Sequence, residues 1–174
     1  MRVLAIGAHP DDIELACSGT LAKCVKRGDT VIVCHASSGN LGHVVIPPEE
    51  LKVICANEAK KAGAMAGIEV IWGGFDDLDI YDNNKEARDK MVDIIKYANP
   101  DFIITHSPDD YMPDHTAVSR LVFDASFREH DNIDFADMVK TCSKYRGYQC
   151  GAEYAEGFRQ CQVYLKGTTK RLLP

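Results

Sequence analysis

Two short polar segments of this 174-residue chain carry side chains that bind metals and transfer protons. The first is His9-Pro10-Asp11-Asp12, which follows the apolar run at residues 3–6, and the second is Pro113-Asp114-His115. A zinc ion in a hydrolytic site takes three protein ligands from histidine and carboxylate, and a fourth position stays open for water. His9, Asp12 and His115 supply such a set, so they are the predicted metal ligands.

Asp11 lies between the two predicted ligands of the first segment. Because Pro10 fixes the turn, His9 and Asp12 can reach one cation while Asp11 points elsewhere. A carboxylate within reach of a metal-activated water can take its proton during attack and later deliver it to a leaving group. Asp11 is therefore the predicted general base.

Simpler interpretations exist for both segments. Aspartate is a favoured helix N-cap, and acidic residues in a first turn satisfy free backbone amides. The first segment could thus be only a helix start, and Asp114 could cap a second helix with His115 on the surface. A magnesium site would also use an aspartate pair after a first strand, but magnesium prefers oxygen ligands and His9 fits it poorly.

The hydrophobic pattern predicts alternating strands and helices. Strands are predicted at 2–7, 30–34, 68–72 and 102–105, and helices at 12–27, from Pro47-Pro48 to 66, 84–98 and 114–127. A polar loop is predicted at 35–43, and a further helix and strand are predicted at 133–138 and 162–165. This alternation indicates an α/β fold, with a parallel sheet and helices on both faces. Both polar segments then follow strand ends at one sheet edge, where ligands bind if strands 1 and 4 are neighbours.

Composition narrows the function class. The length predicts a single domain spanning 1–174. The net charge of −6 argues against a nucleic-acid or anionic-membrane partner, so a small-molecule substrate is expected and a homo-oligomer is left open. Seven cysteines without a CxxC pair, and the lack of a leader or membrane span, predict a soluble cytoplasmic protein. The first turn lacks the G-x-G-x-x-G of dinucleotide-binding domains, and no G-x-S-x-G elbow is present.

Four segments resemble the signature segments of the LmbE/PIG-L family of zinc-dependent deacetylases: Ala8–Glu14, Ser18–Ala22, Pro113–His115 and Gly151–Phe158. The resemblance implies a Rossmann-like fold in which zinc is the cofactor. It also implies that the predicted ligands and Asp11 have the roles given above. The implied reaction removes an N-acetyl group from an amino sugar or a sugar conjugate.

The chain departs from the family pattern at two positions. Many members have a histidine that supports the oxyanion where this chain has Met112, and a thioether cannot donate that hydrogen bond. Asp114, His106 and Tyr111 are the candidate substitutes, so Asp114 is assigned a catalytic role, although it could instead orient a metal ligand. Cys55 replaces the family's usual substrate-binding arginine.

Substrate contacts are predicted for four residues near the site: Ser38, Gly39, Tyr111 and Met112. Ser38 and Gly39 could offer backbone amides. Family members also carry an extra segment between Phe127 and Arg128, which here abut. Either a loop is missing from the printed sequence or the deletion is real and opens the pocket.

Two other functions stay open at this point. The loss of the usual histidine and arginine makes a metal-dependent hydratase or lyase acting on a small oxo acid an alternative to the deacetylase. A non-catalytic metal-binding module is the other. A site of two histidines and one aspartate also accepts iron, cobalt or manganese in place of zinc.

Overall fold

Strands and helices alternate as the sequence predicts, which confirms the α/β class. The computed structural model describes residues 1–126 and 135–157. The strands are β1 (Arg2–Gly7), β2 (Thr30–Ser37), β3 (Glu69–Phe75) and β4 (Phe102–Thr105). The helices are α1 (Asp12–Arg27), α2 (Pro48–Ala66), α3 (Lys85–Ala98), α4 (Pro113–Ser126) and α5 (Phe135–Cys150).

Strand β1 lies inside a parallel four-stranded sheet of order β3-β2-β1-β4. It pairs with β2, where Gly7 lies opposite His35, and with β4, where Ile6 lies opposite Thr105. The chain adds β2 and β3 on one side of β1 and then crosses to the other side for β4. The strand order therefore reverses between β1 and β4, so the two polar segments follow neighbouring strands at one edge of the sheet.

Helices cover both faces of the sheet, as predicted. Leu4 and Ile6 of β1 are fully buried against apolar side chains of α3 and α4. Val3 and Ala5 point to the opposite face and pack with α1. This alternation follows from the two-residue period of a strand, and it explains why β1 is an unbroken apolar run.

Strand β2 is longer than its predicted range. The sequence predicts a loop from His35, but the strand continues to Ser37, and both side chains are completely buried. Nδ1 of His35 lies 3.3 Å from the His9 carbonyl, and the Ser37 hydroxyl donates to Asp77 at 2.5 Å. Polar composition was misleading here because the partners of these side chains come from distant parts of the chain.

The loop after β2 is held by one buried carboxylate. Asp77 accepts hydrogen bonds on Oδ1 from Ser37 and from the Gly39 N–H, at 2.9 Å, and on Oδ2 from the Leu41 N–H, at 3.1 Å. In return, the Asp77 N–H donates to Asn40 Oδ1 at 3.0 Å. The carboxylate thus ties the loop after β2 to the loop after β3, and both loops border the sheet edge that carries the polar segments.

The described C-terminal residues, 135–157, form a separate compact unit. Helix α5 begins at Phe135 and continues to Cys150, well past the helix predicted at 133–138, because its second half is largely exposed and gives little apolar periodicity. The strand predicted at 162–165, the junction of Phe127 with Arg128, and Phe158 lie outside the described residues. A single domain spanning 1–174 stays a prediction.

Two facts bear on the environment of the protein. The six cysteines within the described ranges are all free thiols, and burial raises the pKa of the Cys34 thiol to about 12. Within the same ranges, the helices are too short or too polar to cross a bilayer.

Replacing Asp77 with asparagine tests whether its hydrogen bonds hold the loop after β2 to the loop after β3, an arrangement here called the Asp77 clamp. We expect Asp77→Asn to lower the free energy of unfolding by about 1–3 kcal/mol, because an amide has one acceptor oxygen and its NH₂ group faces buried donors. Urea denaturation measures the change. The matched control is Asp79→Asn on the exposed part of the same loop, which should change stability by less than about 0.5 kcal/mol. Equal stability of the two variants would contradict the clamp.

Candidate metal centre and active site

Asp12 is the point at which three histidines meet. Its Oδ1 lies 3.3 Å from His115 Nε2, and its Oδ2 lies 3.2 Å from His106 Nε2 and 3.6 Å from His9 Nδ1. The His9 N–H also donates to Oδ2 at 2.8 Å. The rings of His106 and His115 are stacked, with centroids 4.0 Å apart. The ends of β1 and β4 and the start of α4 therefore converge on one carboxylate.

Gly7 allows this convergence. A Cβ atom at Gly7 would lie 3.0 Å from the Asp12 Cβ and 3.1 Å from Ile13 Cγ1. The last residue of β1 and the first turn of α1 are thus packed too closely for a larger residue at this position. Because Gly7 has no side chain, the Asp12 carboxylate lies close to the end of β1. His106, which directly follows the neighbouring strand β4, lies beside it.

Two of the histidines each contact a further carboxylate through the ring nitrogen that faces away from Asp12. Nε2 of His9 lies 3.2 Å from Asp114 Oδ2, and Nδ1 of His115 lies 3.1 Å from Asp110 Oδ1. A carboxylate only accepts hydrogen bonds, so each of these ring nitrogens carries a proton. In the neutral imidazole, the other nitrogen, which faces Asp12, is then free to bind a metal.

The structure brings the three predicted ligands together. Suitable ligand atoms of His9, Asp12 and His115 all lie within 4.8 Å of one another. A second group overlaps the first and consists of His106, Asp110 and His115. Both groups share His115, and both have the two-histidine, one-carboxylate composition of catalytic zinc sites with an open position. All three residues of the first group line one cavity, whereas His106 and Asp110 do not line it.

The electrostatics of the cluster fit a cation site. Burial raises the pKa of Asp12, but hydrogen bonds from His106 and His9 outweigh this effect and hold its pKa below the usual range. Its hydrogen bond with Asp12 raises the pKa of His9 despite the opposing effect of burial. A metal bound at these atoms would therefore compete with protonation of His9.

Asp11 is the exposed member of the first segment. Its φ angle is 149°, a region that favours glycine, and such strain concentrates at functional sites. Partial desolvation of its carboxyl group and the neighbouring Asp12 carboxylate raise its pKa. Asp11 borders a cavity of about 580 Å³ that is also lined by His9, Asp12 and His115. Asp11 and Asp77 thus border the cavity outside the group of potential ligands, but the Asp77 carboxylate already accepts three hydrogen bonds from Ser37, Gly39 and Leu41.

The three candidate substitutes for the missing oxyanion donor differ in availability. Asp114 is buried, and its Oδ2 accepts a hydrogen bond from the Leu78 N–H at 2.8 Å in addition to His9. These contacts match the alternative in which Asp114 orients a ligand. Nε2 of His106 lies 2.9 Å from the Ala8 backbone nitrogen and 3.2 Å from Asp12 Oδ2, so this nitrogen already has partners within the protein. Tyr111 borders the cavity, its ring edge-on to His115 at 5.7 Å, so it has the best access of the three.

The residues predicted to contact substrate are only partly brought to the cavity. Gly39, Tyr111 and Met112 line it, and Ser38 does not. A substrate contact of Ser38 and Gly39 stays a prediction, but their backbone amides have partners within the protein. Their N–H groups already donate to the last carbonyl of β3, at 3.0 Å, and to Asp77, so neither is free.

Sequence reasoning missed the supporting side chains. Asp110 was not assigned, although it precedes His115 by only five residues in the same turn-rich segment. Nε2 of His35 lies 3.4 Å from Glu14 Oε1, and its Nδ1 contacts the carbonyl of His9 in the first segment. The contact with His35 lowers the pKa of Glu14. No local signal joins these two residues, since β2 brings His35 from a distant position.

The chain is similar to several curated deacetylases. The PIG-L family, described as GlcNAc-PI de-N-acetylase, matches residues 4–126. The 1D-myo-inositol 2-acetamido-2-deoxy-alpha-D-glucopyranoside deacetylase of Nocardioides sp. is 26% identical over 160 residues, which cover 69% of this chain and 52% of that protein. The corresponding deacetylase 1 of Saccharopolyspora erythraea is 37% identical over 62 residues, 36% of this chain and 20% of that protein. The chain thus spans about half or less of these relatives.

Solved structures share the fold. The N,N'-diacetylchitobiose deacetylase of Pyrococcus horikoshii has a TM-score of 0.69 and 24% identity, over 78% of this chain and 53% of that one. GalB, the 4-carboxy-2-hydroxymuconate hydratase of Pseudomonas putida KT2440, has a TM-score of 0.61 and 21% identity, over 90% and 63%. These likenesses establish the architecture alone. Because the family match covers well over half of its length, this chain belongs to the PIG-L family.

Proposed function

We propose that this chain is a zinc-dependent hydrolase that removes an N-acetyl group from an amino sugar, a sugar conjugate or a similar small amide. One observation carries the proposal: Asp11 borders the same cavity as a group of two histidines and one aspartate able to bind a metal. Membership of the PIG-L family supports this reaction class. We further propose that the enzyme acts on its small-molecule substrate in the cytoplasm, alone or as a homo-oligomer.

The donor atoms fit zinc. His9, Asp12 and His115 would hold the ion, and three such ligands leave a position open, as in catalytic zinc sites. Zinc bound there would supply Lewis acidity that polarises an amide carbonyl and acidifies water. Asp110 and Asp114 would keep the imidazole ligands in the required tautomer.

Asp11 would perform the proton transfers. It accepts a proton from water as the new O–C bond forms at the acetyl carbon. It then returns this proton to the amide nitrogen as the C–N bond breaks, so the products are acetate and a free amine. Its raised pKa favours this role, because a base is most effective when its pKa approaches the working pH.

A product assay separates this proposal from its two alternatives. N-acetylated sugars incubated with the zinc-loaded protein should release acetate and a primary amine in equal amounts. Loss of an unsaturated oxo-acid chromophore without acetate release would support a hydratase instead. Metal binding without turnover of any substrate in either panel would support a non-catalytic binding module.

A substitution at Asp110 tests whether its hydrogen bond to His115 strengthens metal binding. We expect Asp110→Asn to weaken zinc binding by about 10- to 100-fold, since the Nδ1 proton of His115 loses its charged acceptor. Competition with a chromophoric zinc chelator measures the affinity. Asp109→Asn, at the exposed neighbouring position, serves as the control and should bind zinc like the wild type. Identical affinities for both variants would contradict the assigned contact.

Asp11 provides a test of the chemistry. We expect Asp11→Asn to lower kcat by about 10²- to 10⁴-fold while zinc content stays stoichiometric, because the amide cannot take a proton but Asp11 is not a predicted ligand. Amine release and metal analysis of the same preparation give the two values. Turnover close to that of the wild type, with zinc bound, would exclude Asp11 as the base.

A further inference from the structure

Large apolar side chains surround the mouth of the catalytic cavity. Leu15, Leu41, Leu78 and Tyr111, here called the apolar rim, all line the cavity, and they are 82%, 50%, 62% and 90% exposed. They come from α1, the loop after β2, the loop after β3 and the segment before α4. Isolated exposed apolar side chains are common, but four around one cavity are typical of a ligand-binding surface.

The backbone at Leu78 shows that the rim is built into the site. Its φ angle is 60°, a left-handed conformation that disfavours leucine and is better tolerated by asparagine or glycine. Its N–H donates to Asp114, whose carboxylate also contacts His9. The strained residue is thus held at a fixed position relative to the candidate metal ligands, and its apolar side chain stays exposed at the cavity mouth.

The charged side chains that line the cavity disfavour an anionic group on the substrate. The lining contributed by residues 1–126 contains the carboxylates of Asp11, Asp12 and Asp77 and no lysine or arginine. Cys55, a further lining residue, lies close to Gly39 and carries no charge that could pair with an anion. Away from the candidate metal ligands, a phosphate or carboxylate group on the substrate would therefore meet Asp11, Asp77 and the imidazole of His43, but no lysine or arginine among these lining residues.

We infer that the preferred substrate is an uncharged conjugate in which the N-acetylated sugar carries an apolar substituent, such as an aryl or alkyl aglycone, that packs on the apolar rim. This inference rests on the proposed function, because it takes the acetamide to lie at the candidate metal ligands. The sugar then occupies the polar floor of the cavity, and the aglycone covers Leu15, Leu41 and Leu78. The apolar rim is accordingly a specificity determinant for the reaction.

Three substrates test this specificity. With the zinc-loaded protein, kcat/KM for phenyl N-acetyl-β-D-glucosaminide should exceed that for N-acetylglucosamine by about tenfold, mainly through a lower KM. N-acetylglucosamine 1-phosphate should be the poorest of the three. A preference for the phosphate, or equal values for the phenyl glycoside and the free sugar, would overturn the inference while leaving the hydrolase in place.

Two variants test the residues. Leu15→Gln places a polar side chain at an exposed helix position, and Leu78→Asn suits the left-handed backbone, so both should fold. Each should reduce the ratio of kcat/KM between the phenyl glycoside and the free sugar by at least about threefold. Met65→Gln, at an exposed apolar position of α2, is the control and should keep the wild-type ratio. Wild-type ratios in both rim variants would overturn the inference.

A binding measurement distinguishes failure of the inference from failure of the proposed function. Calorimetric titration with phenyl β-D-glucosaminide and with glucosamine, the amine products, should show tighter binding of the phenyl compound, lost in Leu15→Gln. If no substrate is hydrolysed but this binding difference is present, the proposed function is wrong and the rim assignment stands. If the rim variants weaken binding to phosphatidylcholine vesicles but leave the phenyl preference intact, the surface contacts a membrane and the inference is wrong.

Discussion

The site depends on one carboxylate shared among three imidazoles. Asp12 contacts His9, His106 and His115, and further carboxylates hold the outer nitrogens of His9 and His115. Burying several carboxylates close together is costly unless positive charge is present. The raised pKa of His9 reflects this need for positive charge. A divalent cation among the inner ligand atoms would meet it fully.

The fold is arranged to bring these groups to one point. The strand order reverses beside β1, so the segments after β1 and β4 meet although they are distant in sequence. Gly7 lets α1 start close enough to the strand end for Asp12 to reach the neighbouring segment. The Asp77 clamp fixes the loops that form the cavity wall. The chemistry of the site is therefore carried by loops, but its geometry is set by a buried sheet and a few close backbone contacts.

Periodicity and local motifs accounted for much of this arrangement in advance. The bounds of β1, α1 and β4 were predicted correctly, because each is a clear apolar run or an amphipathic repeat beside a polar or glycine-containing turn. The grouping of His9, Asp12 and His115 followed from placing their segments at strand ends. The roles of Asp77 and Asp110, and the strand residues after Cys34, were not predicted. Their environment is created by long-range hydrogen bonds to buried polar groups, which leave no periodic signal along the chain.

Two overlapping groups of residues are able to hold a cation, and locating a bound ion decides between them. Anomalous diffraction at the zinc edge, from crystals of the protein grown with zinc, measures this position directly. We predict one peak at about 2.0–2.2 Å from a nitrogen of His9, an oxygen of Asp12 and a nitrogen of His115. A peak coordinated by His106, Asp110 and His115 without His9, or no peak near Asp12, would contradict the account.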